Sequence, residues 1–179
     1  KDKTLEKYTS VLRENVEELN GLIQEILDFR KAEDAGFSHT HIRRVSVSSL
    51  LRTQFEWFYP LSEQHQIQFK IDAPKELYWN TDSVYFKKIL ANLISNAFKY
   101  TEDGGTVRIS LHEEENFLVL KVYNTGKGIE EADMQNIFDR YRILGTMDND
   151  DNRQNTTRNG LGLFICHSLV QSLGGKIDI

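Results

Sequence analysis

The chain has 179 residues, 39% of them hydrophobic, and a formal net charge of −5, enough apolar material for one ordinary domain or a smaller one with an appendage. An acidic balance without a basic stripe excludes nucleic acid as the main partner, and a polyphosphate ligand would need a divalent cation to offset the repulsion. The single cysteine, Cys166, excludes an internal disulfide and a cysteine zinc cluster and fits a reducing compartment, and no apolar run reaches the roughly 20 residues of a membrane span.

In chain order, Leu5, Leu12, Leu19 and Ile26 fall seven apart, with Tyr8, Leu22 and Phe29 on the other seam and Asn15 interrupting it. A long helix is expected, and Val16 and Ile23 widen its stripe to that of a bundle helix, so dimerisation through it is favoured over docking on the chain's own body. The polar stretch 34–45, with Gly36, reads as a linker. Ser46 then caps a helix carrying Val47, Leu50, Leu51, Phe55, Phe58 and Leu61, with Pro60 at its end or at a kink. Ile67, Phe69 and Ile71 alternate as a strand, and Tyr78 and Trp79 form a short one.

Asp82 is an N-cap for a helix to Thr101 whose Val84, Ile89, Leu90, Leu93, Ile94 and Ala97 should face a core. Asn92, Asn96 and Lys99 follow at intervals of four and three, so two amides and an ammonium line one flank. Such a flank suits a metal and a phosphate, or is an ordinary solvated face. Glu102 to Gly105 is a turn, and strands from Val107 to Leu111 and from Phe117 to Tyr123 flank a hairpin connection at 113–116.

Asn124-Thr125-Gly126-Lys127-Gly128-Ile129 is a strand end breaking into a two-glycine turn, a common feature when it stands alone. A short helix is expected from Glu130 to Arg140. The run 145–159 is rich in Asp, Asn and Thr and almost without apolar residues, as in a functional lid or a disordered segment. Gly160-Leu161-Gly162-Leu163 opens an apolar helix through Leu173, and Lys176 to Ile179 starts a strand. Glycines at a helix start admit an anion to the backbone amides, or simply allow close helix packing. The chain begins in mid-helix and stops on a strand, so it reads as a piece of something longer.

An Asn-bearing helix, a strand-end Gly-x-Gly and a lid closed by Gly-x-Gly-Leu, in this order and spacing, closely resemble the ATP-binding catalytic domain of sensor histidine kinases. Asn-Leu-Ile-Ser-Asn-Ala-Phe-Lys-Tyr at 92–100 is similar to the family's N box. Asn124 to Gly128 resembles its first glycine box, Phe138 its F box and Gly160 to Leu163 its second glycine box. The resemblance implies an α+β fold: a two-layer α/β sandwich, with helices on one face of a mixed, mostly antiparallel sheet, preceded by the long N-terminal helix. Residues 1–33 would be the second helix of the dimerisation and histidine-phosphotransfer hairpin, 34–45 a linker and 46–179 the catalytic domain.

By the same resemblance the cofactors are ATP and Mg²⁺. Asn96 would bind the metal, with Asn92 close to the phosphates or the metal shell and Lys99 on a phosphate. Tyr100 would pack near the adenine or ribose, Gly126 and Gly128 would let the backbone approach the base, and Ile129 would line the adenine pocket. Gly160 and Gly162, with Leu161 and Leu163 in the same box, would let the lid close over the phosphates. The partners would be a second copy through the N-terminal helix, the phosphoacceptor histidine hairpin and a response regulator receiver domain. The setting would be the cytoplasmic portion of a membrane-anchored protein.

Two departures qualify this expectation. The family's first glycine box usually begins with Asp, which accepts from the adenine amino group, whereas the chain has Asn124. Losing charge assistance would cost about 1 kcal/mol, roughly fivefold in affinity, and a rotated amide could donate to guanine's carbonyl instead. None of His39, His41, His65, His112 or His167 has the context of the phosphoacceptor, so the chain alone is not expected to autophosphorylate. A degenerate, non-catalytic dimerisation and signalling module is the alternative. A hydrolase of the same fold is disfavoured, because related ATPases place a water-activating glutamate where this chain has Asn92, and an amide is no general base.

Overall fold

The computed structural model describes residues 40–134, 136–139 and 161–179, together with Thr9 and Val16, both helical. The remainder of the heptad stretch, the run 145–159 and Gly160 lie outside the described residues.

Three alternating segments build the main sheet. Strand β2 (Gln68–Asp72) pairs in parallel with β4 (Thr106–Glu114), Phe69 opposite Val107, and β4 pairs antiparallel with β5 (Phe117–Asn124), Val107 opposite Asn124. The sheet is therefore mixed, in the order β2-β4-β5. Glu115 and Asn116 join β4 to β5 with φ of 47° and 69°, the pair of left-handed residues that matches a two-residue hairpin to strand twist. A separate two-stranded antiparallel ribbon forms from β1 (Arg43–Ser46) and β3 (Tyr78–Thr81). Strand β1 begins inside the expected linker, where its four residues give no alternating pattern to read.

Helix α1 (Val47–Gln64) is capped by Ser46, whose side chain accepts from the Ser49 N–H, and Pro60 sits inside it rather than ending it. Helix α2 (Ser83–Tyr100) lies on the inner face of the sheet. The core joins Val47 and Leu51 of α1, Phe86, Leu90, Ile94, Ala97 and Phe98 of α2, Phe69 of β2, and Val107, Ile109 and Leu111 of β4. Phe98 meets Phe58 stacked at 5.4 Å and Phe69 edge-on at 4.9 Å, which locks both helices to the sheet. Of the expected core face of α2, Val84 is instead exposed, because it stands in the first turn beyond the reach of the sheet.

The short helix α3 (Glu131–Met134) replaces the longer one expected to Arg140, giving way to turns at 136–139. Helix α4 (Gly162–Ser172) packs on α2 through a second cluster of Ile89, Leu161, Ile165 and Leu169. Residues 175–179 form no strand, a correction to the expectation for Lys176–Ile179. Alternation alone does not make a strand without a partner to take its hydrogen bonds. Among the described residues no helix is long and apolar enough to cross a membrane.

Asp82 fastens the approach to β1 onto the start of α2. Its Oδ1 accepts from the Val84 and Tyr85 N–H groups at 2.8 and 3.2 Å, capping α2, and its Oδ2 accepts from the His41 N–H at 2.8 Å, just ahead of β1. Burial by itself would raise this carboxyl, but the N–H groups of His41, Tyr85 and Val84 outweigh it and hold the group below the usual carboxylate range. A depressed folded-state value stabilises the protein above the unfolded value of about 3.9, and that stabilisation is lost as pH falls through the folded one. Asp82→Ala is expected to cost about 1–2 kcal/mol at pH 7 in urea unfolding, with a smaller difference from wild type at pH 2–3. Equal stability of the two chains at pH 7 would contradict the capping role.

Candidate functional site

The flank of α2 and the first turn of α4 meet. Asn92 donates its Nδ2 to the Lys88 carbonyl at 3.1 Å within its own helix, which turns Oδ1 outward. That oxygen lies against Gly162, where a Cβ would fall 3.1 Å from Asn92 Oδ1 and 3.9 Å from Asn96 Nδ2. A side chain here would crowd the Asn92 amide and touch that of Asn96. Leu161, at the N-cap position of the 11-residue α4, makes no side-chain cap hydrogen bond, and the positive end of the helix dipole begins beside Asn92.

A second junction forms at the other end of α2. Strand β5 ends at Asn124, and the following Gly126 runs so close to the last turn of α2 that a Cβ would overlap the Tyr100 carbonyl oxygen. Thr125 is fixed to the start of β4: its N–H donates to the Thr106 carbonyl at 2.9 Å, and its Oγ1 accepts from the Thr106 N–H at 2.9 Å. Gly105 makes room for that hydroxyl, since a Cβ there would lie 2.6 Å from Thr125 Oγ1. The half-buried Asn124 donates its Nδ2 to the Thr125 carbonyl at 3.1 Å. Gly128 has φ of 72° with open space around it, so it is glycine for its conformation and not for clearance.

The sequence-predicted residues thus fall into groups. Asn92, Asn96 and Gly162 come together, and so do Tyr100, Asn124 and Gly126. Lys99, in the last turn of α2, holds its Nζ 5.9 Å from the centroid of the exposed Tyr100 ring. Ile129 is half-buried in the turn after Gly128. Phe138 is stacked on His167 of α4 at 5.3 Å, five residues and therefore roughly 140° around the helix from Gly162, so it braces α4 from another side. Leu161 is buried in the α2–α4 cluster, an anchor for the helix start, while Leu163 is half-buried. Gly160 lies outside the described residues. Sequence reasoning missed Thr125 and Gly105, whose only signal is a hydroxyl residue closing a strand and a glycine opening its neighbour.

The chemistry of the donor set is narrow. Among the described residues no three His, Cys, Asp or Glu side chains could hold a metal together. A hard divalent cation at this flank would rest on amide oxygens and on oxygens brought by an anionic ligand. The side chain of Asn96 makes no hydrogen bond among the described residues, so its amide is uncommitted there, in contrast to that of Asn92. Cys166 is buried in α4, its thiol pushed up to about 12 by that burial and facing the Ile89 carbonyl at 3.8 Å, which makes it an inert part of the packing.

Comparison with known proteins gives the chain a family. Residues 81–179 match the family described as histidine kinase-, DNA gyrase B-, and HSP90-like ATPase. The sensor histidine kinase WalK of Bacillus subtilis is 31% identical over 96% of the chain, which spans 28% of that protein's length. Among solved structures, the catalytic domain of histidine kinase ThkA superposes with a TM-score of 0.67 at 26% identity, covering 77% of the chain and 86% of that domain. A structure of ThkA in complex with response regulator protein TrrA gives 0.69 at 22% identity, over 96% of the chain and 46% of that one, a likeness of fold.

Proposed function

The chain belongs to the histidine kinase-, DNA gyrase B- and HSP90-like ATPase family, as the ATP-binding catalytic domain of a sensor histidine kinase, and from that premise we propose that it positions MgATP for transfer to a histidine. The observation that carries this reading is the meeting of Asn92 and Asn96 with the start of α4 across Gly162. Bound MgATP supplies the γ-phosphoryl group.

The chain's own residues hold and shield it. Asn96, through its amide oxygen, offers the metal a hard ligand, and Asn92 faces the metal shell and phosphates. Lys99 and the N–H groups at the start of α4 neutralise phosphate charge. Tyr100, Asn124, Gly126, Gly128 and Ile129 form the base end, where two glycines admit the backbone. Positioning and charge neutralisation are most of what phosphoryl transfer asks of a protein, so the absence of a nucleophile among these residues is no obstacle. An amide at 92 cannot itself activate water as a base, which favours delivery to another side chain over hydrolysis.

The acceptor histidine would belong to the hairpin whose second helix is the stretch 1–33, with dimerisation through that helix and relay to a response regulator's aspartate. The ThkA–TrrA complex supports the last step, and the membrane-anchored setting follows from the same reading. Calorimetric titration of the chain with ATP is expected to give saturable binding that tightens with Mg²⁺. No binding at millimolar ATP would end the kinase reading and leave a signalling module with a degenerate site. Phosphate appearing on a separately supplied acceptor hairpin, with little free phosphate released, distinguishes transfer from hydrolysis.

A further inference from the structure

The outer face of the main sheet carries charge that the fold does not use. On β4 the inward Val107, Ile109 and Leu111 are buried, so the alternate residues Arg108 and Ser110 point outward. Arg108 stands opposite Lys70 of β2 on one side and Tyr123 of β5 on the other, and Ser110 stands opposite Lys121. Like charges in direct cross-strand register destabilise a sheet, and no carboxylate relieves them. Among the described residues neither Arg108 nor Lys121 makes an ion pair or a side-chain hydrogen bond, and Lys70 reaches only the amide oxygen of Gln68, at 3.4 Å. The chain as a whole is acidic, at −5, so three such cations on one face are a local concentration and not an average.

The same face is hollowed. Arg108, Ser110, Lys121 and Tyr123 line a depression of about 300 Å³, with Tyr123 exposed. We propose that this face docks an acidic peptide segment of a partner protein, laid across the strands so that its carboxylates meet Lys70, Arg108 and Lys121 and one of its side chains enters the hollow beside Tyr123. A flat anionic membrane is a poorer match. Asp72, beside Ser110, and Glu114, at the hairpin end of β4, stand on the same face and would be pressed against it, and a plane leaves the hollow unfilled. Helix α2 covers the opposite face of the sheet, so this surface is distinct from the flank of Asn92 and Asn96 and does not depend on nucleotide binding.

A fluorescent oligoglutamate peptide of about ten residues, titrated with the full chain at low salt, tests the proposal. The expected result is saturable binding that weakens as salt is raised and falls about tenfold when Arg108→Glu and Lys121→Glu are combined. Lys75→Glu with Lys87→Glu, at exposed positions between β2 and β3 and on α2, makes the same change in net charge elsewhere and should leave binding close to that of wild type. If the first pair does not fold, as judged by thermal melting, Arg108→Gln with Lys121→Gln serves in its place. No binding by the wild type, or an equal loss in the two double variants, overturns the proposal. Tighter binding of phosphatidylserine vesicles than of the peptide gives the face to a membrane, and self-association of the chain that the Arg108 and Lys121 substitutions abolish gives it to a second copy; either overturns the proposal. ATP affinity should be the same with and without these substitutions, so a failure here leaves the reading of the nucleotide site untouched.

Discussion

Gly126→Ala is expected to lower nucleotide affinity by about 100-fold and to destabilise the fold by about 1–3 kcal/mol. The new methyl would overlap the Tyr100 carbonyl oxygen, and both sides of that contact are tied down. Tyr100 ends α2, and the next residue, Thr101, is buried and tied back by its hydroxyl to the Ala97 carbonyl at 2.6 Å. On the other side Thr125 is bound twice to Thr106. The backbone of 124–128 must therefore lift away from α2, and with it the base end of the site. Gly104→Ala is the control: its φ of 78° makes alanine strained, yet nothing lies within 4 Å, so the cost should stay near about 1 kcal/mol without a change in affinity. Equal effects from the two substitutions, in urea unfolding and ATP titration, would show that backbone conformation and not the close approach matters at Gly126.

The contrast between these glycines explains how much of the site the sequence discloses. Helix α2 is legible almost whole, because its cap at Asp82 and its apolar period are local properties of consecutive residues. The flank of Asn92, Asn96 and Lys99 follows from helical spacing once the helix is granted. What spacing does not contain is which distant backbone comes to rest on that flank. That Gly162 lies against Asn92, and Gly126 against Tyr100, depends on α4 docking through Leu161, Ile165 and Leu169 and on β5 pairing with β4. Strand β1 is illegible for a related reason: its four residues acquire their meaning only by pairing with β3 and by the bond from His41 to Asp82. Helix α3 is shorter than its sequence suggests: none of its four residues is buried, so no packing sustains it, and the buried Ile137 stands in the turns that follow.

The division of labour between the two asparagines gives the other large effect. Asn92 spends its Nδ2 on the Lys88 carbonyl and its Oδ1 faces Gly162, so it is oriented by its own helix and packed by another. Asn96 is half-buried with no such commitment among the described residues, which makes its amide oxygen the better candidate for a metal ligand. Asn96→Ala should therefore abolish the tightening of ATP binding by Mg²⁺, a loss of about 100-fold, while affinity in EDTA stays close to that of wild type. Stability should not suffer: no hydrogen bond among the described residues is lost, and alanine is the better helix former by about 0.5 kcal/mol, so the variant should melt at or slightly above the wild-type temperature. Asn92→Ala should behave differently, costing some stability with its Lys88 bond and weakening binding with and without Mg²⁺ by similar factors. If Asn96→Ala keeps a full Mg²⁺ response and Asn92→Ala loses it, the two roles are reversed, and the metal lies nearer the start of α4 than the uncommitted amide of Asn96 indicates.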